Sequence, residues 1–331
     1  MKLALPRRLF LSTGAAAIGA AMIGASGRAH AASFPDRPLK MVVPFPPGAG
    51  TDATARIVAQ KLGELVHQTV IVDNIPGANG LVGTTAVARA APDGYTMGVA
   101  VPGPMTIAEF LFSDMKYDPE TDFVPVIKLN EARIALVVGK TVEADTLDGF
   151  VRLVRDNPGK FNAGNATAGS VHHLVAEMFR IEKKLDFTLV NYKGGGPALS
   201  DLMGGHVDFM FIGLSSIAPQ VNEGSLKALM IVGEERSAIL PKVPCSKELG
   251  LASLIGAQWQ GIVVPKGTPA PIVATLHDTI LRALQSPEVK DKLEQIGTEV
   301  STGSAASFAS FLDAERKRWG PVIRQANIKA D

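Results

Sequence analysis

Pro44–Arg56, PFPPGAGTDATAR, follows the apolar run Leu39–Val43, LKMVV, and precedes a segment with helical periodicity. Within it Gly48-Ala49-Gly50-Thr51-Asp52-Ala53 fits G-x-G-x-x-G/A, the fingerprint of a dinucleotide-binding turn. A strand, a glycine turn and a helix start together make an anion site. Glycine lets the backbone come close to a guest, and the first amides of a helix are unpaired and partly positive. Such a site serves a nucleotide-dependent enzyme, or a protein that only grips its anion. The rest of the chain decides between the two.

Outward from this stretch, β-branched apolar runs alternate with amphipathic segments. Strands are predicted at 39–44, 69–73, 96–101, 134–138, 187–191, 207–211, 228–232 and 260–264. Helices are predicted at 52–65, 80–90, 147–157, 172–183, 196–204, 271–285, 287–296 and 305–325. Asp52 and Ser170 stand where a side chain caps a first turn, and Pro271 and Pro287 where proline begins a helix. The alternation reads as βαβ units and an α/β fold with parallel strands. Asp122–Lys140 carries no turn signal and reads as one long extended segment able to join two lobes. The lobes are expected at 32–133 with 251–331, and at 134–250, the C-terminal part returning to the first.

Three glycine-rich segments stand at strand-to-helix junctions: the opening stretch, NIPGANGLVG (Asn74–Gly83) and NAGNATAGSVHHL (Asn162–Leu174). In open α/β sheets such loops form sites beyond the carboxyl ends of the strands. Asp73 stands where a ribose-binding acid would be, which favours the nucleotide reading. Pro46-Pro47 stiffens the turn, and the matching loop in the second half is more than one cofactor needs. Hydrolytic chemistry has no support: there is no G-x-S-x-G elbow, and Ser215-Ser216 lacks the flanking glycines. The adjacent His172 and His173 diverge by about 100° on a helix and make no metal motif. His173 reads as a packing or capping residue, and His206 as the end of a helix. No metal and no catalytic residue are expected.

The N-terminus has the layout of an export signal: Lys2, Arg7 and Arg8, an apolar stretch from Leu9, then Ala29-His30-Ala31 before a cleavage point after Ala31. The apolar stretch is shorter than the ~20 residues of a spanning helix. Arg7-Arg8 resembles a twin-arginine signal, and adjacent arginines also occur in general secretory ones. Cleavage removes four basic and no acidic side chains, leaving 29 basic and 32 acidic, a formal charge of −3. That balance offers nucleic acid no basic face. A single cysteine, Cys245, excludes an internal disulfide and a Cys-rich metal site.

PFPPGAGTDATAR, NIPGANGLVG and APDGYTMGVA, followed by FNAGNATAGSVHHLVAEMF, VNYKGGGPALSDLMGGHVDFMF and WQGIVVPKGTPAPIV, run in order from about Phe34 to the C-terminus. On these motifs the chain resembles the Bug family, the TctC-like substrate-binding proteins of tripartite tricarboxylate transporters. The resemblance implies a two-lobed type II periplasmic binding protein fold, with two crossing strands as hinge and the ligand in the interlobe cleft. It implies a monomer with no cofactor, a small organic carboxylate as ligand, and the membrane subunits of a tripartite tricarboxylate-type transporter as partner. An exported NAD(P)-dependent oxidoreductase and a ligand-binding sensor component are the alternatives.

Carried over by position, the ligand-binding residues are Phe45, Pro47, Gly48, Ala49, Gly50, Thr51 and Asp52, with Ala78 and Asn79 from the second segment. The second lobe gives Asn165, Thr167, Gly169, Ser170, His173, Ile212 and Gly213, and Trp259 is expected to wall the cleft. Asp52 also reads as a helix cap, and Arg56 as the partner of a nearby acid. Relatives often have a second glycine at Ala49, a glycine at Thr167 and an acid at Ile212. The ligand is therefore expected to be a di-, tri- or aromatic carboxylate without a charged amine.

Overall fold

The computed structural model describes residues 34–48, 50–166, 169–192 and 194–328. The fold lies in the unit Arg37–Asp331, which Met1–Asp36 precede as a separate unit. The expected leader, its twin arginines and its cleavage point lie outside the described residues, as do Ala49 and Thr167.

Strand β1 (Leu39–Val43) pairs in parallel with β2 (Val70–Asn74) on one side and β3 (Thr96–Ala100) on the other. Helices α1 (Gly50–Val66) and α2 (Leu81–Ala88) make the crossovers. α1 buries Ala55, Val58, Ala59 and Leu62, one stripe at helical spacing, against the sheet. Its first residue is Gly50, so Asp52 lies inside the first turn and does not cap it from outside. After β3 comes a single π-helical turn, Gly103–Ile107.

The extended segment foreseen at Asp122–Lys140 is β4 (Phe123–Val138). From Phe123 to Arg133 it pairs antiparallel with β9 (Ala257–Pro265), which also pairs with β3. From Ile134 onward it pairs with β7 (Phe209–Gly213) and β8 (Lys227–Ile231). One strand thus belongs to two halves of a sheet. The second half is completed by β5 (Asn162–Asn165), parallel to β7 and to β6 (Thr188–Asn191). A short β10 (Glu299–Val300) pairs with β4 at Glu131 and Asn130. The remaining helices are α3 (Leu147–Asp156), α4 (Val171–Lys183), α5 (Gly195–Gly204), α6 (Ala218–Asn222), α7 (Ala270–Gln285), α8 (Pro287–Gln295) and α9 (Ala305–Gln325).

Asn162–Asn165, expected within a loop, is a strand. Asn and Gly are depleted from strands, yet β5 is held on both sides by neighbours that supply its backbone partners. Gly164 suits the position, since a Cβ there would lie 3.2 Å from the Val207 side chain.

The second-half core is built around Phe150, Phe179, Phe209 and Phe211, with edge-to-face ring pairs at 4.9 and 5.6 Å. Ile107, from the turn after β3, and Trp319 and Ile323, from α9, join that core, as do Leu251 and Leu254. Among the described residues no helix is long and apolar enough to cross a membrane.

Candidate functional site

The loops that follow β1, β2, β3, β5, β6 and β7 all leave the carboxyl ends of their strands, where the topology of an α/β sheet puts a site. In the first of them Pro46, Pro47, Gly48 and Gly50 are exposed, while Thr51 and Asp52 are buried. A Cβ on Gly48 or Gly50 would meet no atom within 4 Å.

Asp52 holds this loop from inside. Its Oδ2 accepts the Gly48 N–H at 2.9 Å and Arg56 Nε at 3.0 Å, and its Oδ1 accepts Asn74 Nδ2 at 3.0 Å. Asn74 Nδ2 also donates to the Phe45 carbonyl at 3.0 Å, and Arg56 donates to Asn74 Oδ1 at 3.0 Å. Burial alone would raise the Asp52 carboxyl. The hydrogen bonds from Arg56, the Gly48 amide and Asn74 outweigh it and hold the group below its ordinary value. Arg56 is thus the partner of an acid, as expected. Asp52→Ala is expected to lower stability by about 1–2 kcal/mol, since it removes charge-assisted hydrogen bonds that hold the first loop. Urea unfolding at pH 7 measures that loss.

The second loop holds four successive residues at positive φ. φ is 137° at Gly77, 44° at Ala78, 53° at Asn79 and 94° at Gly80. Ala78 and Asn79 are exposed, while Gly80 is buried. A Cβ on Gly80 would lie 2.9 Å from Pro104 Cγ, 3.3 Å from Pro44 Cβ and 3.5 Å from Phe45 Cζ. Gly80 is therefore the point at which the first loop, the second loop and the π-helical turn meet. Non-glycine residues held at positive φ store strain, which folds keep mostly at sites of function.

In the second half, Asn165 ends β5 at 2% exposure, and its Nδ2 donates to Asn191 Oδ1 at 2.7 Å. Its Oδ1 is buried without a partner. The loop after it is capped as the sequence indicated: Ser170 Oγ accepts the His173 N–H at 3.3 Å, and His173 Nδ1 accepts the Gly169 N–H at 3.0 Å. A ring nitrogen that accepts an N–H carries no proton, so this bond belongs to a neutral His173 with its hydrogen on Nε2. Gly169 lies close to Leu111, whose Cδ1 would be 2.8 Å from a Cβ there. Leu111 follows the π-helical turn of the first half. Loops of the two halves therefore touch. His172, beside them, has a buried Nε2 without a partner, and burial pushes its ring down to about 4.

Two expected site residues are placed elsewhere. Trp259 is fully buried, with its indole N–H donated to Glu315 Oε2 at 3.1 Å and its ring packed edge-on to Phe308 and Phe311. It supports α9 and walls no opening. The Ile212 side chain is 4% exposed and belongs to the core formed with Ala135, Val137 and Leu214. Gly213 after it is open, with no atom within 4 Å of a Cβ.

Sequence reasoning assigned no site residue to Gly194–Gly196, which starts α5 at the end of β6 with open space at all three Cβ positions. The triple glycine of YKGGGPAL ahead of a helix is the same signal as in the other loops. The site thus presents three helix starts; the sequences 44–52 and 162–171 that lead into α1 and α4 hold no Lys or Arg, Arg56 is tied to Asp52, and the sequence before α5 holds Lys193. Among the described residues no cluster of His, Cys, Asp and Glu could hold a metal ion.

The family described as "Tripartite tricarboxylate transporter family receptor" matches residues 54–328. The chain belongs to this family. Protein BugT of Bordetella pertussis is 32% identical over 310 residues, covering 93% of this chain and 95% of that protein. Among solved structures, Rpa4515 of R. palustris with adipate is 32% identical at a TM-score of 0.78, over 89% of this chain and 99% of that one. MatC from Rhodopseudomonas palustris with bound malate is 34% identical at a TM-score of 0.74, over 88% and 100%. The tricarboxylate receptor family fixes the fold as the two-lobed, type II periplasmic binding protein, with the ligand cleft between lobes. Its members are binding proteins and not enzymes, which removes the oxidoreductase reading of Gly48–Ala53. Asp73, the acid that reading needed, pairs with Lys40 at 3.2 Å.

Proposed function

We propose that this receptor captures a small organic carboxylate between its lobes in the periplasm and delivers it to the membrane subunits of a tripartite tricarboxylate-type transporter. The observation that carries this reading is the pairing of the α1 and α4 helix starts on two loop systems that touch, with no Lys or Arg in the sequences 44–52 and 162–171 that lead into them. Fixed amides suit a carboxylate because they keep their orientation with or without a guest. The adipate and malate bound to the two R. palustris relatives are carboxylates of the same class. Asp52 is committed to three donors, so it offers a ligand ammonium no free charge. This, and not the Ile212 position, now supports a ligand without a charged amine.

In this reading Ala78, Asn79, Gly169, Ser170 and Gly213 face the ligand together with Phe45, Pro47, Gly48, Gly50 and Thr51. Asn165 and His173 shape the second loop, and the undescribed Ala49 and Thr167 complete the two loops. The first lobe is 32–133 with the C-terminal part, the second runs from Ile134, and β4 is the crossing strand about which they close. The protein acts as a monomer after loss of residues 1–31.

A thermal-shift panel on residues 32–331 tests the reading with di- and tricarboxylates, aromatic acids, acidic amino acids, NAD and NADP. A ligand at about 100 times its Kd stabilises by roughly 2.7 kcal/mol, several degrees for a chain of this size. A shift with one carboxylate class is expected. Preference for aspartate or glutamate would overturn the exclusion of amines, and a shift with nucleotides alone would overturn the receptor reading.

A further inference from the structure

Asn130 is fully buried in β4, at a register shift against β9 that falls between Lys128 and Asn130. Its Nδ2 donates to Thr54 Oγ1 and to Thr298 Oγ1, both at 3.2 Å. Thr54, also fully buried, lies in α1 just behind the first loop. Thr298 leads into β10, whose Val300 pairs with Asn130 itself. One side chain therefore ties together the ligand-loop helix, the irregular point of the crossing strand and the short strand beside it.

The orientation of this amide follows from its neighbours. Thr298 donates its hydroxyl proton to the Leu293 carbonyl at 2.9 Å, so toward Asn130 it can only accept. A reversed Asn130 would set oxygen against oxygen. Its Oδ1 is then left buried without a donor. So is Oε1 of Gln260, its register partner on β9 and 5% exposed. Register partners of an antiparallel pair share one face of the sheet. Unpaired buried carbonyls are destabilising, so an apolar side chain would fill this place at lower cost. What the amide provides is a single fixed arrangement of three segments, the property that satisfied donors in a low-dielectric interior confer.

We propose that Asn130 is a positioning residue that sets the first turn of α1, and with it the first ligand loop, against the strand crossing between the lobes. Seating a ligand on that loop then bears on the hinge through the Asn130–Thr54 contact. The purpose of the link rests on the receptor reading, whereas the link itself is tested without ligand.

Hydrogen exchange on residues 32–331 compares wild type with Asn130→Leu and with Thr54→Val, an isosteric change that keeps the core filled. Amides 51–58 are expected to exchange at least tenfold faster in both variants, and amides 298–300 in Asn130→Leu, with α4 unchanged. Acceleration of all segments alike would show only lost stability and overturn the proposal. Unchanged exchange of amides 51–58 in either variant, or of amides 298–300 in Asn130→Leu, would overturn it as well. Should Asn130→Leu fail to fold, Thr54→Val decides alone. A second arm titrates wild type and Thr54→Val with malate and adipate, with at least tenfold weaker binding expected in the variant. Wild type that binds neither probe counts against the receptor reading for these acids, and leaves the exchange result standing.

Discussion

Replacing Gly80 with alanine is expected to lower stability by about 3 kcal/mol and to remove ligand binding. Two costs add. Alanine at a φ of 94° is conformationally strained, by about 1–2 kcal/mol. Its methyl would also stand 2.9 Å from Pro104 and 3.3 Å from Pro44, an overpacking that costs about 1–3 kcal/mol. Pro44 and Pro104 are ring carbons fixed to the backbone, so relief comes only by moving the first loop or the π-helical turn. The melting temperature should fall by about 5–10 °C. Gly48→Ala is the control: its φ is 86° but its surroundings are open, so only the conformational cost of about 1 kcal/mol applies. Equal losses in the two variants would show that crowding at Gly80 is not what joins the loops.

The second large effect is a loss of stability in mild acid centred on His172. Its folded-state ring is pushed down to about 4 by burial, whereas an unfolded histidine titrates near 6.5. Between those values the unfolded chain holds a proton that the folded chain does not. Stability therefore rises with pH across that window, and is lost as pH falls from about 6.5 toward 4. The difference amounts to roughly 3 kcal/mol at the lower end. Asp52, whose carboxyl is held below its ordinary value, acts in a separate and lower window. Its contribution is present above the unfolded value of about 3.9 and is lost as pH falls through the folded one. Urea unfolding between pH 4 and 7 should show a steep wild-type curve and a flatter one for His172→Gln. Parallel curves would show that His172 takes up its proton freely in the folded state.

The α/β alternation was legible because its runs obey two periods. LKMVV ends in buried residues, and α1 places Ala55, Val58, Ala59 and Leu62 on one stripe. The long crossing strand was legible for the opposite reason, an extended segment without a turn. β5 was hidden because Asn, Ala, Gly and Asn carry no strand signal, and its strand character comes from β6 and β7 on either side. At the site, capping chemistry was readable: Ser170 at a helix start and the Asp52–Arg56 spacing of one turn both found the partners such spacings allow.

Side-chain direction at strand ends was not readable from resemblance. Trp259 shares a core with Val263 and Phe308 and so faces α9, the face that strand alternation assigns to residues two apart. Ile212 closes the run FMFI, which is buried throughout. At the left-handed turn Asn79-Gly80 carried a local signal, whereas Ala78, whose side chain disfavours that conformation, did not.

The central claim is that fixed backbone amides of two facing loops, and not a charged side chain, hold the ligand. A crystal structure of residues 32–331 with a bound dicarboxylate tests it most directly. Carboxylate oxygens should lie within hydrogen-bonding distance of amides at the starts of α1 and α4, with Arg56 still on Asp52. A ligand carboxylate paired with Arg56, and Asp52 released from it, would contradict the account.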